Sequence, residues 1–357
     1  MKTLTILVTL YTCPAQAEQE RTSGPAGETT LQRLEREISS VIEKVRPSVV
    51  KVSAAVPVEP DKTPEWLTLS GVIYSREGHI VTDASGVESA GEIKVTSGSR
   101  VFKAQHVGSD RRTGVAVLRV AAGDLKPAPF APEACKTGSA AIAVGNAFGG
   151  SPGGSFGTVG GVRCTIVVSG RRYDDMIQMT APVQPGDCGG YVADSSGRFI
   201  GLVHSVYAPD PAGGDLAEKF GKAARDLLAT GARNVSFATP SDWVRFSADR
   251  IIKHGRMVRG WAGLSARPLD EAARAQLGLP EGEGAEVVRV DREGPAARAR
   301  LAPRDVLLTF DGQPVRDLDD LQWKVARVEQ PRNVRITYLR NRERHEADLR
   351  VEIDPQR

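Results

Sequence analysis

Short runs of β-branched and other apolar residues dominate the chain from residue 49 to about residue 206. Clusters of Gly, Pro, Asp and Ser separate these runs. Short strands at regular spacing, with turn signals between them, predict an all-β sandwich or barrel. The runs lie at 49–52, 71–74, 80–82, 93–96, 115–120, 140–144, 162–168 and 199–203.

Helical patterns flank this β region. Apolar residues at three-to-four spacing predict an amphipathic helix over 29–45 that ends before Pro47. A helical insertion is predicted near 208–233, followed by a strand-like run at 234–238 and a further helix over 242–254. The glycine-rich stretch 145–161 lacks the ending of a phosphate-binding loop, so it is interpreted as an activation-type loop or a flexible β connection.

The C-terminal part of the chain is a second unit. Residues 260–353 mix strand-like runs with helical patterns at 269–277 and 318–328, which predicts an α+β domain of ordinary size. The first domain then covers 29–252 and a linker covers 253–259. The chain is thus mainly β, with an α+β unit at its end.

Composition sets limits on function. A length of 357 residues, with 40% hydrophobic and 25% charged residues, excludes a wholly disordered chain and a disulfide miniprotein. Lys and Arg outnumber Asp and Glu by 47 − 44 = 3, and no basic stripe is interleaved with aromatic residues, so nucleic-acid binding is not expected. No Cys/His spacing suggests zinc, and neither a metal nor a cofactor is predicted.

The N-terminus has the order of a secretory signal over 1–17. Lys2 precedes a short apolar stretch, and small residues follow at Ala15 and Ala17. Export to the periplasm, cell envelope or extracellular space is expected, with no transmembrane segment after signal removal. The polar residues 18–28 are predicted to be a disordered lead-in. Lipid attachment through Cys13 is an open alternative that the preceding residues match poorly.

Export would place the cysteines in an oxidising compartment, where they can form disulfides. Loss of Cys13 with the signal leaves Cys135, Cys164 and Cys188, an odd number. In an oxidising compartment at least one of these thiols has no partner within the chain. A disulfide between Cys135 and Cys164 is one arrangement that the sequence permits.

The stretch from Pro185 to Gly190 is the most informative for chemistry. It places Cys188 after Gly186-Asp187 and before two glycines, which permits a tight turn around a nucleophile. The backbone N–H groups of Gly186 and Cys188 can then point to one spot as an oxyanion hole. The alternative is a glycine-rich turn with a structural cysteine.

Several ordered motifs resemble the HtrA (DegP) family of trypsin-like serine proteases. The segment 173–178, followed by 181–190, is similar to the family's stretch before its nucleophile. Matches at 70–73 and 78–82 correspond to the strands before its catalytic His. The matches at 113–118 and 143–149 correspond to the catalytic Asp segment and to a further loop. The resemblance runs from about Val41 to the C-terminus and implies a trypsin-like double β-barrel.

All three catalytic positions of that family are replaced. Ser85 stands where the family has His, Gly114 where it has Asp and Cys188 where it has Ser. A nucleophile needs a base within ~2.6–3.2 Å and an orienting group behind the base. Loss of triad members costs roughly 10³–10⁶-fold in rate, which a thiol of pKa near 8.5 offsets only in part. A protease fold without catalysis, a pseudoprotease, is therefore predicted.

His204 is the one histidine that offers an alternative base. It follows a strand that, in trypsin-like proteases, passes beside the triad Asp and the specificity pocket. Since Gly114 vacates the volume of a carboxylate, a Cys188–His204 dyad and a weak endopeptidase activity are a second hypothesis. The competing interpretation is that His204 lines an old specificity pocket or fills space.

The C-terminal unit resembles the PDZ domain of HtrA proteins. Residues 259–265 are similar to its entry, and 294–297, 301–307 and 310–312 follow its later motifs in order, although Arg304 stands where the family usually has Gly. A PDZ domain adds an extended peptide to an open sheet edge and holds its terminal carboxylate with backbone N–H groups. The candidate peptide-binding residues are Trp261, Ala262, Gly263, Leu264 and, on the facing helix, Leu321. The alternative places Trp261 and Leu264 in the core.

These observations predict an exported HtrA-like pseudoprotease. It is expected to bind polypeptides with free C-termini or unfolded segments without cleaving them, in an adaptor, chaperone-like or regulatory role in protein quality control. The resemblance also implies assembly as a homo-oligomer, a trimer in many relatives, or pairing with an active HtrA relative. A structural envelope protein that has lost its ligands is a third hypothesis.

Overall fold

The computed structural model describes residues 28–57, 63–146, 150–168, 171–206, 235–280 and 283–354. The predicted signal segment 1–17, nearly all of the lead-in 18–28 and the insertion near 208–233 lie outside the described residues. Within the described part of the chain, no helix combines the length and the apolar character needed to cross a bilayer.

The N-terminal helix is confirmed as α1, Thr30–Val45. Thr29 caps it, since its Oγ1 accepts the N–H of Gln32 at 3.3 Å and the Gln32 side chain accepts the Thr29 N–H at 2.9 Å. Val41 and Val45 are buried against the body of the protein, whereas Leu31 is 74% exposed. The helix ends in the 3-10 turn Arg46–Ser48, where proline breaks the pattern.

Six antiparallel strands close the first barrel in the order β1-β2-β3-β6-β5-β4. Val50, Ile80 and Leu118 are fully buried inside it. The strands are β1 Val49–Val56, β2 Glu65–Ile73, β3 His79–Asp83, β4 Glu92–Ser97, β5 Arg100–Asp110 and β6 Val115–Val120.

A second closed barrel follows in the order β10-β11-β12-β9-β8-β7. Val81 from β3 packs in one cluster with Tyr191 and Leu202, so the two barrels share a core. Helix α2, Ser241–His254, follows and ends at Gly255, whose φ is +68°. The strands are β7 Ala140–Gly145, β8 Gly153–Val168, β9 Arg171–Met179, β10 Tyr191–Ala193, β11 Phe199–Val206 and β12 Ser236–Pro240.

Three strands had no counterpart in the sequence pattern, namely β5, β9 and β10. β9 begins with two arginines and holds two aspartates, and β10 has three residues, so neither shows a regular alternation. The glycine-rich stretch 145–161 was interpreted as an activation-type loop or a flexible β connection, but its residues 153–161 form the first part of β8. Gly153, Gly154 and Gly157 pair with residues of β7 in the sheet, and this pairing holds them in an extended conformation.

The C-terminal unit is α+β, as predicted. Its sheet runs β13-β19-β18-β16-β15-β14, with β17 paired to β16. Among the described strands, β14 pairs with β15 alone, so one edge of β14 is open. Its elements are β13 Gly260–Trp261, β14 Leu264–Pro268, α3 Glu271–Leu277, β15 Ala285–Val290, α4 Pro295–Arg298, β16 Val306–Phe310, β17 Gln313–Pro314, α5 Leu318–Ala326, β18 Arg332–Arg340 and β19 Glu343–Ile353.

The α+β unit packs directly on α2. The Trp243 and Trp323 rings meet edge-to-face with centroids 4.2 Å apart, and Phe246 packs against both. Nearby, Arg259 Nη2 donates to Asp110 Oδ2 at 2.6 Å, with both side chains buried. Two closed barrels followed by an α+β sheet thus confirm the predicted fold class.

Candidate functional site

The turn that carries Cys188 is fixed by its own backbone and by β2. Asp187 N–H donates to Gln184 O and Gly190 N–H to Asp187 O, each at 2.8 Å. Ser70 binds the turn twice. Its Oγ donates to Gly186 O at 2.9 Å, and its N–H donates to Cys188 O at 2.9 Å. The turn is therefore held rigidly whether or not it performs chemistry.

Gly189 sets how closely this turn approaches β3. Its φ is +82°, and a Cβ built there would lie 2.3 Å from Ser70 O and 2.8 Å from Asp83 N. Glycine is required on both counts. Cys188 consequently lies beside the C-terminal end of β3, where Asp83 stands.

Burial makes the Cys188 thiol a poor acid. Its pKa is raised to about 12, chiefly by desolvation and further by the negative charges of Asp83 and Asp187. The thiolate is the reactive form of cysteine, and a half-buried thiol that feels two negative charges forms little of it. Within the described residues, no hydrogen bond joins Cys188 Sγ to a histidine.

Ser85, which the resemblance predicts to stand at the family's His position, is exposed and bound to Asp83. Its N–H donates to Asp83 Oδ1 at 2.9 Å, and its hydroxyl donates to the same oxygen. A hydroxyl engaged in this way is a donor and not a base. The first triad position therefore offers no proton acceptor to Cys188.

The other oxygen of Asp83 pairs with His204. Asp83 Oδ2 and His204 Nδ1 are 2.7 Å apart, and the two side chains are 1% and 4% exposed. Neither atom has a hydrogen-bond partner of good geometry among the described residues, so the contact is a close, buried approach of the imidazole to the carboxylate. The Tyr173 ring packs on the imidazole with centroids 4.1 Å apart.

Gly114, which the resemblance predicts to stand at the family's Asp position, has no room for a side chain. Its φ is +71°, and a Cβ there would lie 2.4 Å from His204 Cε1 and 2.6 Å from Nδ1. The imidazole has thus taken the volume into which a residue at 114 would extend. Ala84 N–H donates to Gly114 O at 2.8 Å, which ties this position to the end of β3.

The structure brings Ser85, Gly114, Cys188 and His204 together in one place. Sequence reasoning missed Ser70, Asp83 and Tyr173, which respectively hold the turn, pair with the imidazole and cover it. For Asp83 the available signal was a carboxylate at the buried end of a strand, two residues before a replaced triad position.

The three cysteines of the described residues are all free. The permitted disulfide between Cys135 and Cys164 is therefore not formed. Cys164 lies on the β8–β9 hairpin, with Sγ 3.9 Å from Gln178 Oε1, whereas Cys135 packs against the core of the second barrel. Burial raises the pKa of Cys135 to about 11.

A groove of about 510 Å³ runs between β14 and α5 of the C-terminal unit. Trp261, Ala262, Leu264 and Leu321 line it, and Gly263, with φ +69°, stands in the same loop. Trp261 and Leu264 are half-buried and Leu321 is 3% exposed. The first two are thus accessible to a ligand rather than sealed in the core.

The far wall of this groove comes from the barrels. Arg112, Thr113 and Arg259 contribute to its lining. Asp110 Oδ2 accepts from Arg259 Nη2, and also from Thr113 Oγ1 and Ser247 Oγ at 2.8 and 2.7 Å. Burial lowers the pKa of Arg259, and the Asp110 carboxylate opposes that shift. This buried network links Arg259 at the groove to Thr113, the residue before Gly114.

The position of Arg304 keeps the left-handed conformation that glycine would favour. Its φ is +74°, and its N–H donates to Val287 O at 2.8 Å. The turn is therefore retained despite the arginine. Within the described residues, no group of three or more His, Cys, Asp or Glu side chains is placed to hold a metal ion.

Comparisons with known proteins agree with this architecture. The family model described as "Trypsin-like peptidase domain" matches residues 69–202, and the "PDZ domain" model matches 262–351. Two curated relatives, from Brucella suis and Halomonas elongata, are each named "Probable periplasmic serine endoprotease DegP-like". They are 30% identical over 297 residues and 31% identical over 284 residues. These alignments cover 80% and 79% of this chain but 52% and 56% of the relatives, so the chain spans about half their length.

Two solved structures are similar over nearly the whole chain. The structure named "HtrA-type protease AlgW with tripeptide" has a TM-score of 0.73 at 28% identity and covers 90% of this chain and 98% of its own. The structure named "HtrA-type protease AlgW with decapeptide" has a TM-score of 0.68 at 27% identity, with coverages of 90% and 99%.

Proposed function

We propose, from the premise that this chain is an HtrA/DegP-like protein with a trypsin-like peptidase fold and a PDZ domain, that it binds polypeptides without cleaving them. One observation carries this proposal. Among the described residues no histidine is hydrogen-bonded to Cys188, and Ser85, which the resemblance places at the family's His position, donates its hydroxyl to Asp83.

The state of Cys188 supports the same conclusion. With a pKa of about 12, roughly one thiol in 10⁵ is ionised at neutral pH, against a few per cent for an ordinary cysteine. Ser85 is committed to Asp83 as a donor. Neither replaced triad position can therefore restore the lost thiolate.

The PDZ groove supports peptide binding. β14 presents an open edge, and the loop 260–263 leads directly into it. Such an edge takes an extended peptide by strand addition and uses side-chain pockets for specificity. The similar AlgW structures carry a tripeptide and a decapeptide by name. The ligands proposed here are free C-termini or unfolded segments of other polypeptides.

The cellular setting is part of the proposal. The relatives are named as periplasmic, and the predicted signal at 1–17 is consistent with export. An adaptor, chaperone-like or regulatory role in protein quality control follows from binding without cleavage. The domain limits 29–252 and 260–353, and assembly as a trimer or with an active relative, belong to the same proposal.

Casein digestion by the purified chain beside Cys188→Ala tests the absence of catalysis. We expect no cleavage by either protein. Cleavage by the parent that is lost in Cys188→Ala, and again in His204→Ala, would favour the alternative of a cysteine endopeptidase with His204 as base.

Peptide binding is tested separately. Peptides that end in a free apolar residue are compared with the same peptides amidated at the C-terminus. We expect binding of the free form only, and loss of that binding in Leu264→Ser. The matched control is Val288→Ser, since Val288 lies on β15, is 49% exposed and does not line the groove. Equal binding of both peptide forms would contradict carboxylate capture.

A further inference from the structure

One end of the PDZ sheet carries a group of exposed arginines, here called the arginine end. Arg340, the last residue of β18, holds this end together. Its guanidinium donates to the two carboxylate oxygens of Asp305 at 2.8 and 2.7 Å and to Arg300 O at 2.8 Å. The turn after β18 and the loop before β16 are therefore neighbours. The exposed arginines that they carry are Arg300, Arg304, Arg342 and Arg344.

The guanidinium groups of these four arginines have neither an ion pair nor a hydrogen bond within the described part of the chain. Nearby carboxylates do not balance them. Asp305 is 1% exposed and bound by Arg340, and Glu343 is exposed, with Oε2 4.0 Å from His345 Nε2. Residues 299–306 and 339–345 hold five arginines against two carboxylates, a local charge of 5 − 2 = +3 with histidine neutral.

Arg300 stands where a helix end favours glycine. It follows the last turn of α4 with φ +58°, and the next residue, Leu301, donates its N–H to Ala296 O at 2.9 Å. This is the usual way in which a helix ends on a left-handed residue, and glycine is the common choice there. The arginine is thus kept at a position that its own backbone disfavours.

Two further arginines share this property. Arg342 has φ +68° and, after Asn341 with φ +52°, is the second residue of the two-residue turn between β18 and β19. Turns of this kind favour Asn-Gly. Arg304 has φ +74° in the loop before β16. Since glycine would suit all three backbones better, folding stability does not explain the arginines, and strain retained at exposed positions is typical of functional sites.

The placement of the arginine end indicates the kind of partner. Its residues lie on turns and at a helix end, whereas small ligands bind in concave sites. The ends of strands also offer no open edge to which a peptide can add. Several separate cations without a fixed geometry suit a surface that presents many anionic groups side by side. We propose that the arginine end docks the PDZ domain on a membrane surface that contains anionic phospholipid.

Docking through this end leaves the peptide groove free. None of the four arginines lines the groove between β14 and α5. A chain held at a membrane surface in this way still presents Leu264 and the open edge of β14 to a peptide. Membrane docking and peptide binding are therefore separable functions of one domain.

Sedimentation of the full chain with lipid vesicles tests the docking. Vesicles of equal parts phosphatidylglycerol and phosphatidylcholine are compared with vesicles of phosphatidylcholine alone. We expect binding to the anionic vesicles only, and its loss in about 1 M salt, where the screening length falls to about 3 Å. Equal sedimentation with both kinds of vesicle, or with neither, would overturn the proposal.

Paired substitutions locate the docking surface. A basic side chain near an anionic membrane contributes about fivefold in affinity, so Arg300→Gln/Arg342→Gln should weaken vesicle binding about 25-fold. The matched control is Arg76→Gln/Arg256→Gln, since both residues are exposed and lie outside the PDZ domain. We expect the control to bind like the parent. Equal losses in the two double variants would show that net charge alone governs binding and would refute the arginine end as the docking surface.

Two replacements of Arg342 separate its charge from its backbone. Arg342→Lys should keep vesicle binding, because a membrane surface attracts any cation. Arg342→Gly should bind about fivefold more weakly and yet unfold at a higher temperature, because the strain is relieved. Weaker binding together with a lower unfolding temperature in Arg342→Gly would point to a damaged fold and contradict the proposal.

Soluble polyglutamate identifies the partner class. At the same concentration of negative charge, we expect it to compete weakly with the anionic vesicles. Displacement of the chain from vesicles by polyglutamate, with polyglutamate binding lost in Arg300→Gln/Arg342→Gln, would assign the arginine end to acidic polypeptides and overturn membrane docking.

Discussion

The imidazole of His204 occupies the volume that a side chain at Gly114 would need. An added Cβ would lie 2.4 Å from Cε1, well inside van der Waals contact. The space beside Gly114 is therefore filled by His204, and the same imidazole lies in a buried pair with Asp83.

Gly114→Ala should destabilise the protein by about 2–4 kcal/mol, since the left-handed backbone and the clash with His204 both contribute. Chemical denaturation measures the loss. The control is Gly98→Ala, where φ is +58° but nothing lies within 4 Å, so only about 1–2 kcal/mol is expected. In the Gly114→Ala/His204→Ala double variant the clash is gone, and a negative coupling free energy should result; strict additivity would argue against the contact.

Alkylation of Cys188 by iodoacetamide should remain slow at neutral pH and keep rising through pH 10. The raised pKa of the thiol, about 12, is the reason. Peptide mapping separates Cys188 from Cys164, which lies on the hairpin and serves as the internal reference. A plateau in the Cys188 rate between pH 7 and pH 9 would show an activated thiol instead.

The same shift predicts a pH dependence of stability. The folded-state pKa of Cys188 is raised above its unfolded value, so the native thiol keeps its proton while the unfolded one loses it. The contribution of the protonated Cys188 thiol to the free energy of unfolding is complete below the unfolded pKa near 8.5. It falls as pH rises toward about 12, by up to ~1.4 kcal/mol per pH unit. The parent should therefore lose stability relative to Cys188→Ala between pH 9 and pH 11. Parallel curves would contradict the burial argument.

Asp110→Ala should cost about 3–5 kcal/mol, because it leaves the Arg259 charge buried without its partner. Replacing both residues, as Asp110→Ala/Arg259→Met, should recover a large part of that loss. Glu37→Ala is the comparison for an exposed pair, since Glu37 binds Arg33 on the surface of α1, and a change within about 1 kcal/mol is expected there. Thermal unfolding of the parent, the two single variants and the double variant measures these differences in stability.

Arg304→Gly should stabilise the PDZ domain by roughly 0.5–1 kcal/mol, since a non-glycine residue at φ +74° is strained. The opposite sign is expected for Arg350→Gly, at an exposed position inside β19, where glycine costs about 0.5–1 kcal/mol. Equal changes in the free energy of unfolding at both positions would contradict the explanation from backbone strain.

The short apolar runs predicted most of the barrel strands, because short β-branched segments between turn residues are typical of strands. β9 was not found, since its arginines and aspartates hide the buried Tyr173 and Met176. The resemblance located Ser85, Gly114 and Cys188. It did not identify the partner of His204, because the pairing with Asp83 arises only where β3, β6 and β11 meet.

The contact between His204 and Gly114 also sets the order in which substitutions could introduce a catalytic triad at this site. An aspartate introduced at 114 would clash with the imidazole before it could reach a histidine introduced at 85. Position 204 would have to change first, and that change by itself leaves Asp83 buried without the imidazole. Building the family's triad into this chain by single substitutions therefore starts with a loss of stability.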